Sequence, residues 1–282
     1  MQLKELKDLF AKELGNLYSK EESQTILNYI FIDALGIPKL TIISQPQLEL
    51  DNNQTEKVSS LLKDLKKSIP IQYLLGTAHF YGMILKVNPD VLIPRQETEE
   101  LVDWIIKDNK EAKNLKILDI CTGSGCIALA LKKHIQESIV TAVDISEKAL
   151  QVAKENAEYL NLAIEFKKAD ALKIEQEFKN ESYDIIVSNP PYIPSSGKDT
   201  MQKNVLMYEP HLALFVPDEK PLLFYEAIAN YAKKSKPVTL YFEIHEDKGN
   251  DLEQLMNNMG FKDITLKQDL NGKNRMLRCC YF

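Results

Sequence analysis

The sequence predicts an α/β protein, in which a mostly parallel sheet is covered by helices on both faces and follows a small all-α domain. Three observations support this fold class. Residues 1–70 show only helical periodicity. From Glu97 onward, short apolar strands alternate with helices, as in a parallel sheet. Asn271-Gly272 separates the last two strands and predicts a tight hairpin, so the final strand is expected to be antiparallel.

Length and composition exclude several classes of protein. The chain has 282 residues, which favours about two domains. Hydrophobic residues make up 44% and charged residues 27%, so a disordered or fibrous chain is excluded. The net charge of −6 gives no overall basic surface for nucleic acid, so we expect no direct nucleic-acid binding.

The N-terminal residues, the short apolar stretches and the cysteines predict a cytoplasmic protein. The first five residues lack the basic start of a signal peptide, and no apolar stretch reaches the roughly 18 residues of a membrane helix. The four cysteines form no C-x-x-C pair and are too sparse for a disulfide framework, which indicates a reducing compartment.

The first predicted domain spans residues 1–70 and is helical. Apolar residues recur at helical spacing from Leu3 to Leu17, and further helices are expected at Glu21–Leu35 and Thr55–Lys67. This part contains no cluster of His, Cys or carboxylates of the kind that binds a ligand.

A connecting β-hairpin is predicted at residues 71–95. Ile84-Leu85-Lys86-Val87 and Val91-Leu92-Ile93-Pro94 flank Asn88-Pro89-Asp90, a polar turn that contains proline.

Residues 96–282 form the predicted α/β domain. The expected helices are Glu99–Lys107, Cys126–His134, Glu147–Leu160, Pro221–Lys234 and Gly249–Met259. The expected strands are Lys116–Ile120, Ile139–Asp144, Ile164–Lys168, Tyr183–Ser188, Val238–Ile244 and Phe261–Gln268, followed by a strand around Met276-Leu277-Arg278.

A glycine-rich turn follows the first of these strands and indicates nucleoside binding. Gly123 and Gly125 stand in G-x-G-x-x-A spacing with Ala128, which permits a tight turn and close approach to a ligand. Nineteen positions after Gly125, Asp144 ends the next strand, where its carboxylate can accept hydrogen bonds from ribose hydroxyls. The alternative is that the glycines serve only the turn and that Asp144 caps the following helix.

Asp119 lies within an apolar strand, where a carboxylate is costly unless it has a cationic or hydrogen-bonding partner. The sulfonium and ammonium groups of S-adenosylmethionine suit this position, either directly or through water.

Asn189-Pro190-Pro191-Tyr192 follows the fourth strand, at the sheet edge where such folds bind ligands. The Asn189 side-chain carbonyl and the Pro190 backbone carbonyl can accept both hydrogens of a planar NH2 group. Tyr192 can stack on that group. An amide nitrogen is a poor nucleophile, so the catalytic contribution is its orientation toward an electrophilic methyl. The alternative is a proline-rich turn that an asparagine caps.

These motifs together resemble the S-adenosylmethionine-dependent amino methyltransferases and, within them, the release-factor glutamine N5-methyltransferase family. The resemblance covers essentially the whole chain. Beyond Asp119 to Gly125, Asp144 and the Asn189 tetrapeptide, it is carried by Tyr73-Leu74-Leu75-Gly76, Phe80-Tyr81-Gly82, Leu92-Ile93-Pro94-Arg95-Gln96-Glu97-Thr98-Glu99, Tyr208-Glu209-Pro210 and Asp269-Leu270-Asn271-Gly272-Lys273-Asn274-Arg275.

The resemblance implies a Rossmann-like, seven-stranded methyltransferase sheet and the production of N5-methylglutamine and S-adenosylhomocysteine without a metal. The implied substrate is the glutamine of a Gly-Gly-Gln loop in class I peptide chain release factors, which the helical domain helps to hold. We expect a monomer. The implied cofactor-binding residues are Asp119, Cys121, Thr122, Gly123, Ser124, Gly125, Asp144, Asp170, Ala171 and Asn189, and the implied substrate-binding residues are Asn189, Pro190, Pro191 and Tyr192, of which Asn189, Pro190 and Tyr192 are catalytic.

The sequence departs from the family pattern at a few positions. Gln96 replaces a proline, Cys121 a glycine and Ala171 a larger side chain, and Glu243-Ile244-His245-Glu246 replaces the usual Glu-Ile-Gly.

Other functions remain as alternatives. The same tetrapeptide suits the exocyclic NH2 of adenine in DNA or RNA, although such enzymes usually present a basic surface. A related possibility is methylation of a glutamine in a large-subunit ribosomal protein. A catalytically idle binding protein would not need the intact tetrapeptide, and an NAD dehydrogenase would give Asn189 no role.

Overall fold

A computed structural model describes residues 1–178, 181–235 and 237–282. Two compact units are present. One contains residues 1–77 and 202–208, and the other contains residues 78–201 and 209–282. The first is helical, and the second contains the sheet.

The helical unit buries the apolar stripe that the sequence predicts. Leu3, Leu6, Phe10 and Leu14 of the first helix are fully buried in the core of the unit. The helix ends at Leu14 with Gly15 as its C-cap, so Leu17, which the apolar spacing included, lies outside it and is exposed. The helices of residues 1–77 are α1 (Leu3–Leu14), α2 (Lys20–Tyr29), α3 (Lys39–Ser44), α4 (Asn52–Leu65) and α5 (Ile71–Leu75).

Local signals set the helix ends in this unit. Ser19 and Asp51 each form a capping box with the residue three positions later, so α2 and α4 begin earlier than expected. After α2 the chain continues in a π-helical turn, Ile30–Ala34, which the periodicity does not indicate. A further short helix, Lys203–Tyr208, belongs to this unit, and its Tyr208 hydroxyl donates to the Lys67 carbonyl at 2.9 Å.

The β-hairpin lies earlier in the chain than expected. Its strands are β1 (Thr77–Phe80) and β2 (Met83–Lys86), and Tyr81 and Gly82 form the turn. Both turn residues have positive φ, 45° and 70°, as the tightest hairpin turns require. The predicted turn at residues 88–90 follows the second strand, and residues 91–94 form no strand, so this part of the prediction was wrong.

Seven strands form the main sheet in the described part of the chain, as predicted. They are β3 (Lys116–Ile120), β4 (Ile139–Asp144), β5 (Glu165–Lys168), β6 (Ile185–Ser188), β9 (Val238–Glu243), β10 (Lys262–Gln268) and β11 (Asn274–Tyr281), and a separate pair consists of β7 (Ile193–Pro194) and β8 (Phe215–Val216). The bounds of β3 and β4 match the prediction, and the other predicted strands differ from the observed ones mainly at their ends.

The order of the main sheet is β10-β11-β9-β6-β3-β4-β5. Strands β9, β6, β3, β4 and β5 pair in parallel, whereas β11 is antiparallel to both of its neighbours. This confirms the predicted antiparallel final strand. The chain turns to opposite sides of β3 when it forms β4 and β6, so the carboxyl ends of these three strands border a crevice.

Helices cover both faces of the sheet, and each face has its own apolar core. One core includes Leu118, Ile186 and Phe242, and the other includes Ile117, Val187 and Tyr241, so neighbouring strand residues alternate between the two cores. The helices of residues 78–282 are α6 (Gln96–Asp108), α7 (Cys126–His134), α8 (Glu147–Leu160), α9 (Ile174–Glu177), α11 (Leu223–Ala232) and α12 (Gly249–Asn258), and Lys203–Tyr208 of the helical unit is α10.

A buried asparagine on α8 connects the hairpin to the glycine-rich turn. Asn156 is fully buried. Its Oδ1 accepts from the Lys86 amide at 2.6 Å, and its Nδ2 donates to the carbonyls of Lys86 and Ser124, each at 3.0 Å. Three backbone groups from two separate segments therefore depend on one side chain.

We expect Asn156→Ala to lower the free energy of unfolding by about 3 kcal/mol, because buried backbone groups lose their partners. Urea unfolding followed by circular dichroism measures the change. Gln151→Ala on the exposed face of the same helix is the matched control and should have little effect. Equal stability of the two variants would contradict the assigned role of Asn156.

Candidate active site

A cavity of about 240 Å³ lies at the carboxyl ends of β3, β4 and β6. The structure brings most of the sequence-predicted site residues to its wall. Those residues are Cys121, Thr122, Gly123, Ser124, Asp144, Asp170, Ala171, Asn189 and Pro191. Asp119, Gly125, Pro190 and Tyr192 lie outside this lining, next to residues that belong to it.

The turn after β3 takes backbone conformations that glycine favours. Gly123 and Gly125 have φ of 55° and 82°. A Cβ on Gly125 would lie 3.1 Å from the Cβ of Ala153, so this glycine also permits close packing of α7 against α8. Cys121 adopts φ of 63° without being glycine, so its backbone is strained. Burial raises the pKa of its thiol well above the ordinary value, which keeps the thiol protonated.

Asp144 ends β4 at the cavity and organises the turn. Its Oδ2 accepts from the Gly123 amide and its Oδ1 from the Ser146 amide, both at 2.9 Å. Burial raises the pKa of this carboxyl, and these backbone bonds oppose the rise. Each carboxylate oxygen can accept more than one hydrogen bond, so Asp144 keeps acceptor capacity toward the cavity. That capacity suits a pair of ribose hydroxyls.

Asp119 is fully buried behind the turn and not at the cavity wall. Its Oδ2 accepts from the Thr122 hydroxyl at 2.6 Å and from the Ala128 amide at 3.2 Å. Its Oδ1 has no hydrogen-bond partner among the described residues. Burial raises the pKa of Asp119 to about 7, although these two bonds lower it. An unpartnered carboxylate oxygen beside the turn fits a cationic group or a bridging water there.

Asn189 and Tyr192 join a buried hydrogen-bond network. Asn189 Nδ2 lies 3.3 Å from Thr98 Oγ1, and Thr98 Oγ1 donates to Glu243 Oε2 at 2.6 Å. The Tyr192 hydroxyl donates to the other oxygen, Glu243 Oε1, at 3.1 Å. The Tyr225 hydroxyl donates to the Glu243 carbonyl at 3.0 Å. Burial raises the pKa of the Glu243 carboxyl, and the bonds from Thr98 and Tyr192 lower it.

Another buried carboxylate, that of Glu209, fixes the segment before α6. Glu209 is 4% exposed, and its two oxygens accept from the Ile93 amide and from the Arg95 guanidinium. Arg95 lines the cavity, so Glu209 fixes part of the cavity wall.

Sequence reasoning assigned no role to Thr98, Glu243, Arg95 or Glu209. Thr98, Arg95 and Glu209 lie in motifs that carry the family resemblance, and that position is the signal that could have identified them. Glu243 begins the segment that departs from the family pattern. A buried charge at a strand end, as at Glu243, is a further signal, because such a charge needs partners.

The described residues contain no group of three or more His, Cys, Asp or Glu side chains placed to hold a metal ion. His245 Nδ1 accepts from the Asp247 amide at 3.3 Å, and the imidazole lies edge-on to Tyr192 with ring centroids 6.1 Å apart. Within residues 1–178, 181–235 and 237–282, no helix combines the length and apolarity that crossing a membrane requires.

Comparisons with known proteins find two matching domain models and similar chains of nearly the same length. Residues 98–209 match the model of the methyltransferase small domain, and residues 7–76 match that of the PrmC N-terminal domain. The release factor glutamine methyltransferase of Flavobacterium psychrophilum is 43% identical over 99% of each chain. That of Bacteroides thetaiotaomicron is 41% identical over 94% of this chain and 95% of its own.

A solved structure also shares the fold. The catalytic domain of hMettl16, in complex with an RNA hairpin, covers 72% of this chain and 77% of that chain with a TM-score of 0.55. The sequence identity is 15%, so this likeness concerns the fold alone.

The raised pKa of Asp119 predicts a pH-dependent stability. In the unfolded chain Asp119 ionises near its ordinary pKa of 3.8, whereas in the folded protein it keeps its proton to about pH 7. The folded state therefore binds more protons across this window, and its stability falls as the pH rises through it. We expect the stability of Asp119→Asn relative to wild type to grow by roughly 2 kcal/mol between pH 5 and pH 8.

Urea unfolding at the two pH values measures this difference. Asp263→Asn, at an exposed position on an edge strand, is the control. Its stability relative to wild type should be the same at both pH values. A relative stability of Asp119→Asn that does not change with pH would refute the assignment.

Proposed function

Because the chain belongs to the release factor glutamine methyltransferase family, we propose that it methylates the glutamine of the Gly-Gly-Gln motif in class I peptide chain release factors. The methyl donor is S-adenosylmethionine, and the acceptor is the side-chain amide nitrogen, N5. The observation that carries the proposal is the shared cavity, which Asp144 and the glycine-rich turn line together with Asn189 and Pro191.

Residues around the turn would hold the cofactor. Asp144 has spare acceptor capacity for the ribose hydroxyls, and the unpartnered Oδ1 of Asp119 suits the positive end of the molecule, directly or through water. Asp170 and Ala171 line the cavity where the adenine is expected. When bound, the cofactor supplies an electrophilic methyl on a sulfonium.

The tetrapeptide would hold the substrate. The Asn189 side-chain carbonyl and the Pro190 backbone carbonyl accept the two hydrogens of the glutamine NH2, and the two prolines restrict the backbone between the acceptors. Tyr192 stacks on the amide plane. These contacts orient the nitrogen toward the methyl and stabilise the positive charge that develops on it. The nitrogen then loses a proton to solvent, which yields N5-methylglutamine and S-adenosylhomocysteine.

The remaining assignments are also proposals. The helical domain, residues 1–70, recognises the release factor, residues 71–95 connect the domains, and residues 96–282 catalyse the transfer. We also propose that the enzyme is a monomer. The substrate is a translation factor, so we propose that the enzyme acts in the cytoplasm.

The direct test is transfer of labelled methyl from S-adenosylmethionine to purified, unmodified release factor. The parallel arms use the release factor with its Gly-Gly-Gln glutamine changed to alanine, adenine-containing DNA and adenine-containing RNA. Label on the wild-type factor alone is expected. Label on nucleic acid, or equal label on the glutamine variant, would overturn the proposed substrate.

We expect Asn189→Ala to lower kcat roughly 100-fold, because one of two acceptors for the substrate NH2 is lost. Affinity for S-adenosylmethionine, measured by calorimetry, should change little. Asn230→Ala removes the same groups from an exposed position on α11 and should retain full activity. Turnover of Asn189→Ala near the wild-type level would exclude its catalytic role.

We expect Asp144→Asn to weaken cofactor affinity by roughly tenfold or more, because a charged acceptor for ribose hydroxyls becomes neutral. Calorimetric titration with S-adenosylhomocysteine measures the effect, and Asp263→Asn is the control. An unchanged dissociation constant would mean that Asp144 serves only to fix the turn.

A further inference from the structure

The contacts of Thr98 and Glu243 determine how the side-chain amide of Asn189 can point. Thr98 is 2% exposed and lies near the start of α6, and Glu243 is 1% exposed at the end of β9. Asn189 follows β6, which pairs with β9. Three segments that are distant in the sequence therefore meet in one chain of hydrogen bonds.

This chain of hydrogen bonds has a direction. The Thr98 hydroxyl donates its one hydrogen to Glu243 Oε2 at 2.6 Å. Thr98 Oγ1 can then offer only lone pairs to Asn189. The amide nitrogen of Asn189 satisfies these lone pairs, whereas its oxygen would be repelled. In the structure, Asn189 Nδ2 lies 3.3 Å from Thr98 Oγ1, so the nitrogen of the amide faces Thr98.

We propose that Thr98 and Glu243 are positioning residues that hold the Asn189 amide with its oxygen toward the substrate, an inference that rests on the proposed function. A flipped amide would face the glutamine NH2 with its own NH2, and two donors cannot form a hydrogen bond. The network therefore selects the one orientation in which Asn189 acts as an acceptor.

Glu243 also connects the two substrate-binding side chains of the tetrapeptide. Its second oxygen accepts from Tyr192 at 3.1 Å, so a single carboxylate orients both the acceptor and the stacking ring. Burial of this carboxyl raises its pKa because desolvation disfavours the charged form, and the hydrogen bonds from Thr98 and Tyr192 oppose the rise. A well-packed apolar residue often stabilises a fold at least as well as a buried charge does. A positioning role explains why a carboxyl group occupies this place.

Thr98→Val tests the inference, because valine keeps the shape of threonine and lacks its hydroxyl. We expect kcat for release-factor methylation to fall roughly tenfold or more, with little change in the dissociation constant for S-adenosylmethionine. Thr98→Ser retains the hydroxyl and should restore kcat to near the wild-type value. Melting temperatures of all variants report whether each one is folded, and Thr98→Ala is the second variant if Thr98→Val does not fold.

Introducing Thr98→Val into the Asn189→Ala variant distinguishes a positioning role of Thr98 from a general structural role. If Thr98 acts through Asn189, Thr98→Val should lower kcat no further once the Asn189 amide is absent. If the double variant instead loses kcat by the product of the two single-variant factors, the proposal is overturned. A Thr98→Val enzyme as active as wild type, or a Thr98→Ser enzyme as impaired as Thr98→Val, would overturn it as well.

A readout without substrate separates this inference from the proposed function. Exchange of the Asn189 side-chain NH2 hydrogens, followed by 15N NMR, should be roughly fivefold faster in Thr98→Val than in wild type, because the hydrogen bond to Thr98 is lost. Unchanged exchange would refute the positioning role even if methylation occurs. Wild-type enzyme that fails to methylate the release factor would instead refute the proposed function.

Discussion

Buried carboxylates at the carboxyl ends of the parallel strands are the constraint on which the site depends. A carboxylate taken out of water needs hydrogen-bond donors, and at a strand end the nearest donors belong to the loops. Asp119 binds Thr122 and Ala128, Asp144 binds Gly123 and Ser146, and Glu243 binds Thr98 and Tyr192. Each of these acids thereby fixes the start of a loop or helix at this edge of the sheet. Polar contacts thus hold the loops at the cavity, whereas two apolar cores hold the sheet beneath it.

The sheet topology explains how such distant residues meet. Parallel strands bring their carboxyl ends to one edge, so residues that follow β3, β4, β6 and β9 converge there although more than a hundred positions separate the first from the last. Helix α6 begins at the same edge and contributes Thr98. Asn156 completes the arrangement because it holds the carbonyl of Ser124, within the glycine-rich turn, to the hairpin strand β2. The chemistry of the site is local, but its support comes from most of the sheet-containing unit.

The sequence predicted those parts of the structure that have a local signature. Alternating apolar segments revealed the strands of the sheet, Asn271-Gly272 revealed the antiparallel hairpin, and glycine spacing revealed the turn that lines the cavity. The positions of Thr98 and Glu243 relative to Asn189 have no such signature, because contacts across 91 and 145 residues depend on how the strands are ordered. The hairpin turn was misplaced because Asn88-Pro89-Asp90 is a stronger turn signal than Tyr81-Gly82, where a tyrosine adopts positive φ.

The insertion of β11 between β9 and β10 has a consequence for how the chain reaches its fold during synthesis. Strand β10 emerges from the ribosome before β11. In the finished sheet β11 lies between β10 and β9, so β10 and β9 are not neighbours. Until β11 is made, β9 presents an open edge on which β10 can dock in a non-native arrangement. The tight turn at Asn271-Gly272 limits this hazard, because it lets β10 and β11 form a local hairpin within microseconds, which can then join β9 as a unit. The five-residue connection between Gln268 and Asn274, which contains this turn, therefore also shortens the time during which the nascent sheet is incomplete.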